Sequence, residues 1–344
     1  MAKYKIKSSL IQHSWFESVI HKTLDMYENG EDLVNCPLNE FQRNYMTWGG
    51  RHRDLTNVAD FESALMVRLK KFIQLYEDIK KDGYDESKEP LFVYFDDDGF
   101  INLYDGHHRL SIIRYLGIDP EIWVSTDWDS KGIDPDGIVG KDFPLVEKLT
   151  SRFDGRHYMY NWIGDPRLSD FTCQRPDGPE RLRFMLDEMV GSTVLDIGCS
   201  EGYFSHHLAK AGYKPTAVDI LPMLVSVARY LATIQNVNVK CVTGDWKEII
   251  RERKTPFDNI LYLSVLHNEV NAIGEQRAFS NLKLFRGKVK RLFIEVPDIK
   301  IQKDWAFAFD LIKLLPRLER ETGMKVEKVF EGYRPIILLT SKIL

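Results

Sequence analysis

VLDIGCSEGYF, residues 194–204, begins as an apolar run, breaks at a glycine-bearing turn and resumes as a helix-forming segment. The run has the length and composition of a buried strand. Gly198 and Gly202 let the backbone turn tightly and approach a ligand, and the helix start beyond them offers free N–H donors to an anionic group. Outward from this stretch the pattern alternates. A helix over 180–190 precedes it, a helix over 204–211 continues it, and strands over 215–220, 239–245, 257–265 and 291–296 come after. Helices over 223–234, 276–285 and 306–322 are interspersed among them. Such alternation predicts an α/β fold with a doubly wound parallel sheet and a ligand at the carboxyl ends of its strands. The runs 325–330 and 335–340 would close it as an antiparallel hairpin.

The turn reads G-x-S-x-G, with Ser200 in the middle, and a glycine turn alone serves nucleotides of many kinds. Three later features narrow it. Asp219 ends the second strand, where a carboxylate accepts two ribose hydroxyls. Asp245 and Trp246 end the third, placed to bond an adenine amino group and cover the ring, and Ser264 to Glu269 form the polar end of the fourth. In this order Asp196, Gly198 and Gly202 resemble the D-x-G-x-G-x-G signature of class I S-adenosylmethionine-dependent methyltransferases, with Ser200 as the departure. LSVLHNE, 263–269, is similar to a motif of small-molecule methyltransferases. The resemblance implies a Rossmann-like domain that binds S-adenosylmethionine through Asp196, Gly198, Ser200, Gly202, Asp219, Asp245, Trp246 and Ser264. Asp196 has a second reading, a carboxylate bonded to loop amides. A dehydrogenase using the same turn for a pyrophosphate would carry the full G-x-G-x-x-G and no acid after the third strand.

Methyl transfer needs an acceptor lone pair in line with the sulfonium methyl, and a base where the acceptor is a hydroxyl. His267, just past the fourth strand, and Glu295, ending the fifth, are the candidates; each reads alternatively as a packing or orienting residue.

The N-terminal half carries a second constellation. LFVYF (91–95) and FINLY (100–104) read as a strand pair around the DDDG turn, and YDGHHRLSIIRYLG (104–117) as a turn opening a helix that Gly117 closes. EIWVST (121–126) reads as a third strand. Before them, residues up to Gly30 read as helical, LVNCPLNEF (33–41) as extended around Pro37, 47–57 as polar loop, and 60–81 as an amphipathic helix on Phe61, Leu65, Leu69, Phe72 and Tyr76. At the turn, Gly106, the first-turn amides and Arg109 can hold phosphate oxygens, His107 and His108 can donate or act as acid or base, and Asp105 can hold magnesium. Asp96 to Asp98 read better as an exposed turn than as a metal cluster. Residues 33–126 resemble the ParB/sulfiredoxin-like α+β fold, and the D-G-H-H-R form is similar to that of the free serine kinases. The resemblance implies ATP or ADP with magnesium and a catalytic acid on the preceding helix, for which Glu62 is the candidate, against a plain solvated charge. A module that only positions a substrate or partner, and a DNA-binding module, are the alternatives; no helix-turn-helix supports the latter.

Lys and Arg number 47 against 51 Asp and Glu, a net charge of -4, so no global positive field draws the chain to nucleic acid or an anionic membrane. Cys36, Cys173, Cys199 and Cys241 form no C-x-x-C pair, which argues against zinc and a secreted disulfide framework. With no spanning apolar run and an N-terminus interrupted by charges, a cytoplasmic protein is expected. The expected domains are 1–140, a connector or lid over 141–185 rich in aromatics (HYMYNWIGDPRLSDF), and 186–344. Together they predict an O-methyltransferase of a small-molecule or glycan acceptor that the first domain phosphorylates, a pairing similar to that of surface-polysaccharide capping enzymes. The rival is a nucleic-acid methyltransferase, for which RGKVKR (286–291) is the one basic stripe.

Overall fold

The computed structural model describes residues 3–12, 16–47, 61–85, 87, 90–126, 143–152, 155–302 and 308–341, side chains of 44–47 excepted. The chain divides into two compact units, residues 1–96 with 100–142 and residues 143–344 with 97–99. The expected boundary at 140 and the polar stretch beyond Thr47 lie outside the described residues.

The first unit comprises β1 (Lys3–Lys7), α1 (Glu17–Glu28), α2 (Pro37–Thr47), α3 (Phe61–Asp82), β2 (Leu91–Phe95), β3 (Ile101–Asp105), α4 (His107–Tyr115) and β4 (Glu121–Ser125). Its sheet has the order β1-β4-β2-β3, with β2 and β3 an antiparallel hairpin and β4 parallel to β2. Two expectations are corrected. The helical reading up to Gly30 holds for α1 alone: Lys3, Lys5 and Lys7 are exposed, Ile6 is buried, and this alternation of period two makes a strand paired antiparallel with β4. Nor is 33–41 extended throughout, because Pro37 opens α2, where its missing N–H has no intrahelical partner to lose and its fixed φ suits the first turn. Asp96 ends the hairpin strand by accepting the Phe100 N–H at 2.8 Å and the Asn102 amide at 3.0 Å, a turn geometry.

The second unit opens with α5 (Leu145–Arg152), β5 (Tyr158–Met159), β6 (Thr172–Cys173) and α6 (Gly178–Glu188). Next come β7 (Thr193–Ile197), α7 (Tyr203–Lys210), β8 (Lys214–Asp219), α8 (Pro222–Ile234), β9 (Lys240–Thr243), α9 (Trp246–Glu252) and β10 (Phe257–Leu263). The chain continues through α10 (Leu266–Ile273), α11 (Glu275–Asn281), β11 (Val289–Glu295), α12 (Leu311–Thr322), β12 (Lys325–Phe330) and β13 (Ile336–Thr340). The strand order is β12-β13-β11-β10-β7-β8-β9. Five neighbouring strands are parallel, and β13 runs antiparallel to both β11 and β12. Central strands covered on both faces need apolar residues at successive positions, and Ile260 to Tyr262 and Leu292 to Ile294 are all buried. After β9 the chain returns to the other side of β7, so the crevice where strand order reverses lies at the carboxyl ends of β7 and β10. Two helices exceed the expectation: α9 is capped by Asp245, which accepts the Lys247 N–H at 2.9 Å, and α10 occupies what reads as a polar strand end. Within the described residues the last helix starts at Leu311, where Asp310 accepts the Ile312 N–H at 3.1 Å.

Candidate active site and a second cavity

The turn after β7 is pinned to the neighbouring strand: the N–H groups of Gly198 and Cys199 both donate to the Val218 carbonyl, at 2.8 and 3.1 Å. At Gly202 φ is +82°, and a Cβ would stand 2.7 Å from His206 Nε2 and 3.0 Å from the Ala228 side chain, so helices α7 and α8 approach through the missing side chain. Ser200 takes the left-handed conformation at φ +53° without being glycine. Its hydroxyl accepts from Arg152 at 2.8 Å and donates to Glu201 at 2.7 Å, while Arg152 also pairs with the buried Glu201 at 2.7 Å. Asp196, 2% exposed, accepts from Ser205 Oγ at 2.7 Å and supports the turn from behind, outside the cavity lining. Burial pushes its carboxyl up to about 6 against that hydrogen bond.

In front of the turn lies a cavity of about 500 Å³, a size that suits a cofactor. Gly198, Ser200, Asp219, Asp245, Trp246 and Ser264 line it. Asp219 accepts the N–H groups of Ser200 at 3.1 Å and Leu221 at 3.0 Å, which fixes its carboxylate at the rim. Asp245 pairs with Lys247 at 2.9 Å. Trp246 reaches the cavity but is 4% exposed, its ring stacked on Phe285 and its Nε1 donating to Glu269 at 2.8 Å. The apolar wall comes instead from Ile220, Leu221, Leu224 and Ile273, residues that no motif flags. Arg152 and Tyr160 of the aromatic connector also line it; the wealth of aromatics there signals a lid but not which side chains enter.

Behind Ser264 the polar groups form one network. Ser264 Oγ accepts from Tyr160 at 3.0 Å and Arg334 at 2.9 Å and donates to Glu295 at 2.8 Å. Glu295 is fully buried and also takes Arg175 at 2.7 Å and Arg181 at 2.8 Å. Burial pushes this carboxyl up, but Arg181 and Arg175 together pull it below its ordinary value, so it is an anion that holds other groups in place rather than a free base. His267 is 4% exposed at the start of α10 and outside the cavity lining. Burial, helped by Arg334 and Arg175 against Glu295, lowers its imidazole to about 4 and keeps it neutral.

The first unit has its own cavity of about 470 Å³, lined by Phe16, Phe41, Gln42, Arg68, Leu75 and the run Asp105 to Arg109. Gly106 sits at φ +103°, and a Cβ there would strike Leu91 at 2.4 Å and lie 3.2 Å from Arg109 Nη2. Only glycine lets β3 pass into α4 at this point. Asp105 accepts the Gly106 N–H at 2.8 Å. His107 donates to the Tyr104 carbonyl at 3.0 Å, and His108 lies 5.6 Å from the Phe16 ring and 5.4 Å from Phe72. Burial lowers both imidazoles, His108 to about 4 with help from His107 and Arg68. Glu62 lies outside this lining, exposed at the start of α3, where it binds Arg43 at 2.9 and 2.6 Å. Among the described residues no group of three or more His, Cys, Asp or Glu gathers as a metal site, and none of the helices is long and apolar enough to cross a membrane.

Strand order, the antiparallel edge hairpin and the acids closing β8 and β9 define a Rossmann-like, class I methyltransferase fold for the second unit. Residues 194–283 match the family model of a methyltransferase domain. The chain is 30% identical over 113 residues to the ubiquinone biosynthesis O-methyltransferase of Xanthomonas euvesicatoria pv. vesicatoria (strain 85-10), covering 32% of this chain and 47% of that protein. Its counterpart in Xylella fastidiosa (strain M23) is 33% identical over 80 residues, 23% of this chain and 32% of the relative. The chain thus spans less than half the length of either. Among solved structures it is similar to the bifunctional kinase-methyltransferase WbdD, with 21% identity, a TM-score of 0.45 and coverage of 56% of this chain and 46% of that one. Magnesium protoporphyrin IX methyltransferase from Synechocystis PCC 6803 shows 16% identity, a TM-score of 0.37 and coverage of 48% and 83%.

Proposed function

We propose that the chain is an S-adenosylmethionine-dependent O-methyltransferase of a small-molecule or glycan acceptor. The observation that carries this reading is the meeting of Asp219, Asp245 and the Gly198–Ser200 turn on one cavity at the switch point of the sheet. Here Asp219 holds the ribose hydroxyls, Asp245 the adenine edge, and Ile220, Leu221, Leu224 and Ile273 its faces, while Arg152 receives the methionyl carboxylate. When bound, the cofactor supplies an electrophilic methyl group. The side chains position the acceptor oxygen: Tyr160, Ser264 and Asn268 line that end, and the neutral His267, next to Asn268 in α10 but outside the lining, acts through them as an orienting residue. The two relatives are named as O-methyltransferases, which supports oxygen as the acceptor atom.

For the first unit we infer a nucleotide-phosphate site, taking ATP or ADP with magnesium, that phosphorylates the same acceptor. Its support is the convergence of Gly106, His107, His108, Arg109 and Asp105 on one cavity. Asp105 would hold the magnesium, which needs only one or two protein carboxylates beside phosphate oxygens. Glu62, clasped by Arg43 outside the lining, takes the surface role in this reading.

The two activities are tested by incubating the chain with methyl-labelled S-adenosylmethionine, ATP and magnesium, and either sugars and sugar phosphates or RNA and DNA. Label in the small-molecule fraction is expected. Label in nucleic acid alone would favour the rival reading, and the same methylation with and without ATP would remove the phosphorylation step.

A further inference from the structure

Asp245 and Lys247, two residues apart where β9 gives way to α9, both line the cofactor cavity of the second unit. One Asp245 oxygen accepts the Lys247 N–H at 2.9 Å, and the other meets the Lys247 ammonium at 2.9 Å. The carboxylate is pinned at both oxygens, each of which has a second lone pair to offer. The ammonium is fixed as well, since besides Asp245 it stands 5.4 Å from the centre of the Trp246 ring. The Asp245 side chain is 39% exposed and that of Lys247 23%, and a pair so open to water contributes little to stability. An ammonium carries three N–H groups; Asp245 takes one, and among the described residues no other acceptor takes the rest. An acceptor and a donor thus stand side by side at the end of the cavity that receives the base. Adenine is the complement of such a pair. A ring nitrogen, N1 or N7, lies on either side of its amino group, so both of these edges show a donor beside an acceptor. A base whose amino group reaches Asp245 brings one ring nitrogen within reach of Lys247.

We propose that Lys247 is a specificity-determining residue for the cofactor: while Asp245 accepts from the adenine amino group, the Lys247 ammonium donates to the adjacent ring nitrogen, N1 or N7, and the two side chains read the base together. This rests on the cofactor reading of the cavity and extends it to a residue that no motif marks. It also gives the open Asp245–Lys247 pair a task that stability does not supply.

Calorimetric titration of the full chain with S-adenosylhomocysteine and with its 1-deaza and 7-deaza analogues, in each of which C–H replaces one ring nitrogen, tests the assignment. At least one analogue is expected to bind wild-type protein about 10-fold more weakly than the parent compound, the loss of one charge-assisted hydrogen bond. Lys247→Met keeps the aliphatic stem and removes the donor. It should weaken the parent compound by about the same 10-fold and bind that analogue as well as the parent, because the bond is already gone. An analogue loss of equal size in wild-type protein and in Lys247→Met would show that another donor reads the ring nitrogen, and would overturn the role of Lys247 while sparing the cofactor reading. Wild-type protein that binds the parent and both analogues equally would overturn the proposal without need of any variant. Wild-type protein that does not bind the parent compound at all would overturn the cofactor reading itself.

Discussion

Ser200 occupies a left-handed position where glycine is the unstrained residue, at a cost of about 1–2 kcal/mol. Its hydroxyl bridges Arg152 and Glu201, and hydrogen bonds to charged groups contribute about 1.5–3 kcal/mol. The bridge outweighs the strain, so Ser200→Gly should lower stability by about 1 kcal/mol and Ser200→Ala, which keeps the strain and loses the bonds, by about 2–3 kcal/mol. Urea titrations rank the three; a glycine variant more stable than wild type would show that strain dominates. For His267 the sign comes from burial: a base lowered to about 4 is deprotonated throughout pH 6–9 and contributes no limb to the rate profile there. His267→Asn should lower kcat by about 10²-fold and leave cofactor affinity within a few-fold. A rate limb near pH 6.5 that vanishes in this variant would mean that the imidazole titrates in contact with water. Asp219 and Asp245 were legible because a strand end fixes where a side chain emerges. Trp246 was legible only as a cavity residue, since sequence does not show that Phe285, far along the chain, claims its ring.

The connector is held to the sheet by four side chains it contributes: Arg152 on Glu201, Tyr160 on Ser264, and Arg175 and Arg181 on Glu295. Two of them also wall the cofactor cavity, so ordering the connector and shaping the cavity are one event. Replacing Glu295 by Gln leaves the buried Arg175 and Arg181 with Asp177, at 2.8 and 3.5 Å, as their remaining shared carboxylate, with an expected loss of about 3 kcal/mol. Tyr160→Phe removes the bond to Ser264 and the longer ones that its hydroxyl accepts from Arg175 at 3.3 Å and Arg334 at 3.5 Å, and should lose about 1–2 kcal/mol. Chemical denaturation of both variants checks the order, and a Glu295→Gln loss no larger than that of Tyr160→Phe would contradict the network. The parallel strands were legible from their apolar runs, and α3 from its period of three and four. Helices α9 and α10 were not, because each starts directly at a strand end on residues that also carry ligand-binding patterns. Pro37 misled for a related reason: proline both ends extended segments and opens helices, and local sequence does not choose between the two.

Three histidines, His108 in the first unit and His206 and His267 in the second, are lowered by burial to about 4. Such groups contribute stability that is fully present above the unfolded value near 6.5 and is lost as pH falls toward 4, on the order of 3 kcal/mol each. Asp196, raised to about 6, has the opposite sign: it favours the folded state at low pH and loses that contribution as pH rises through 6. In the second unit two histidines oppose one aspartate, so thermal midpoints of both units should fall between pH 6.5 and 4.5, and midpoints flat over that window would contradict the buried-histidine assignment. That two units exist was legible from the change of pattern along the chain, whereas the acceptor was not, because the residues proposed to face it, Tyr160, Ser264 and Asn268, come from the connector, the end of β10 and α10 rather than from one motif. Whether the second unit is a methyltransferase turns on its cofactor cavity, and calorimetric titration of the full chain with S-adenosylhomocysteine addresses it. One site per chain with a Kd in the micromolar range is expected, weakened at least about 10-fold by Asp219→Ala and unchanged by Asp105→Ala. No heat with wild-type protein, or binding that survives Asp219→Ala and disappears in Asp105→Ala, would contradict the assignment.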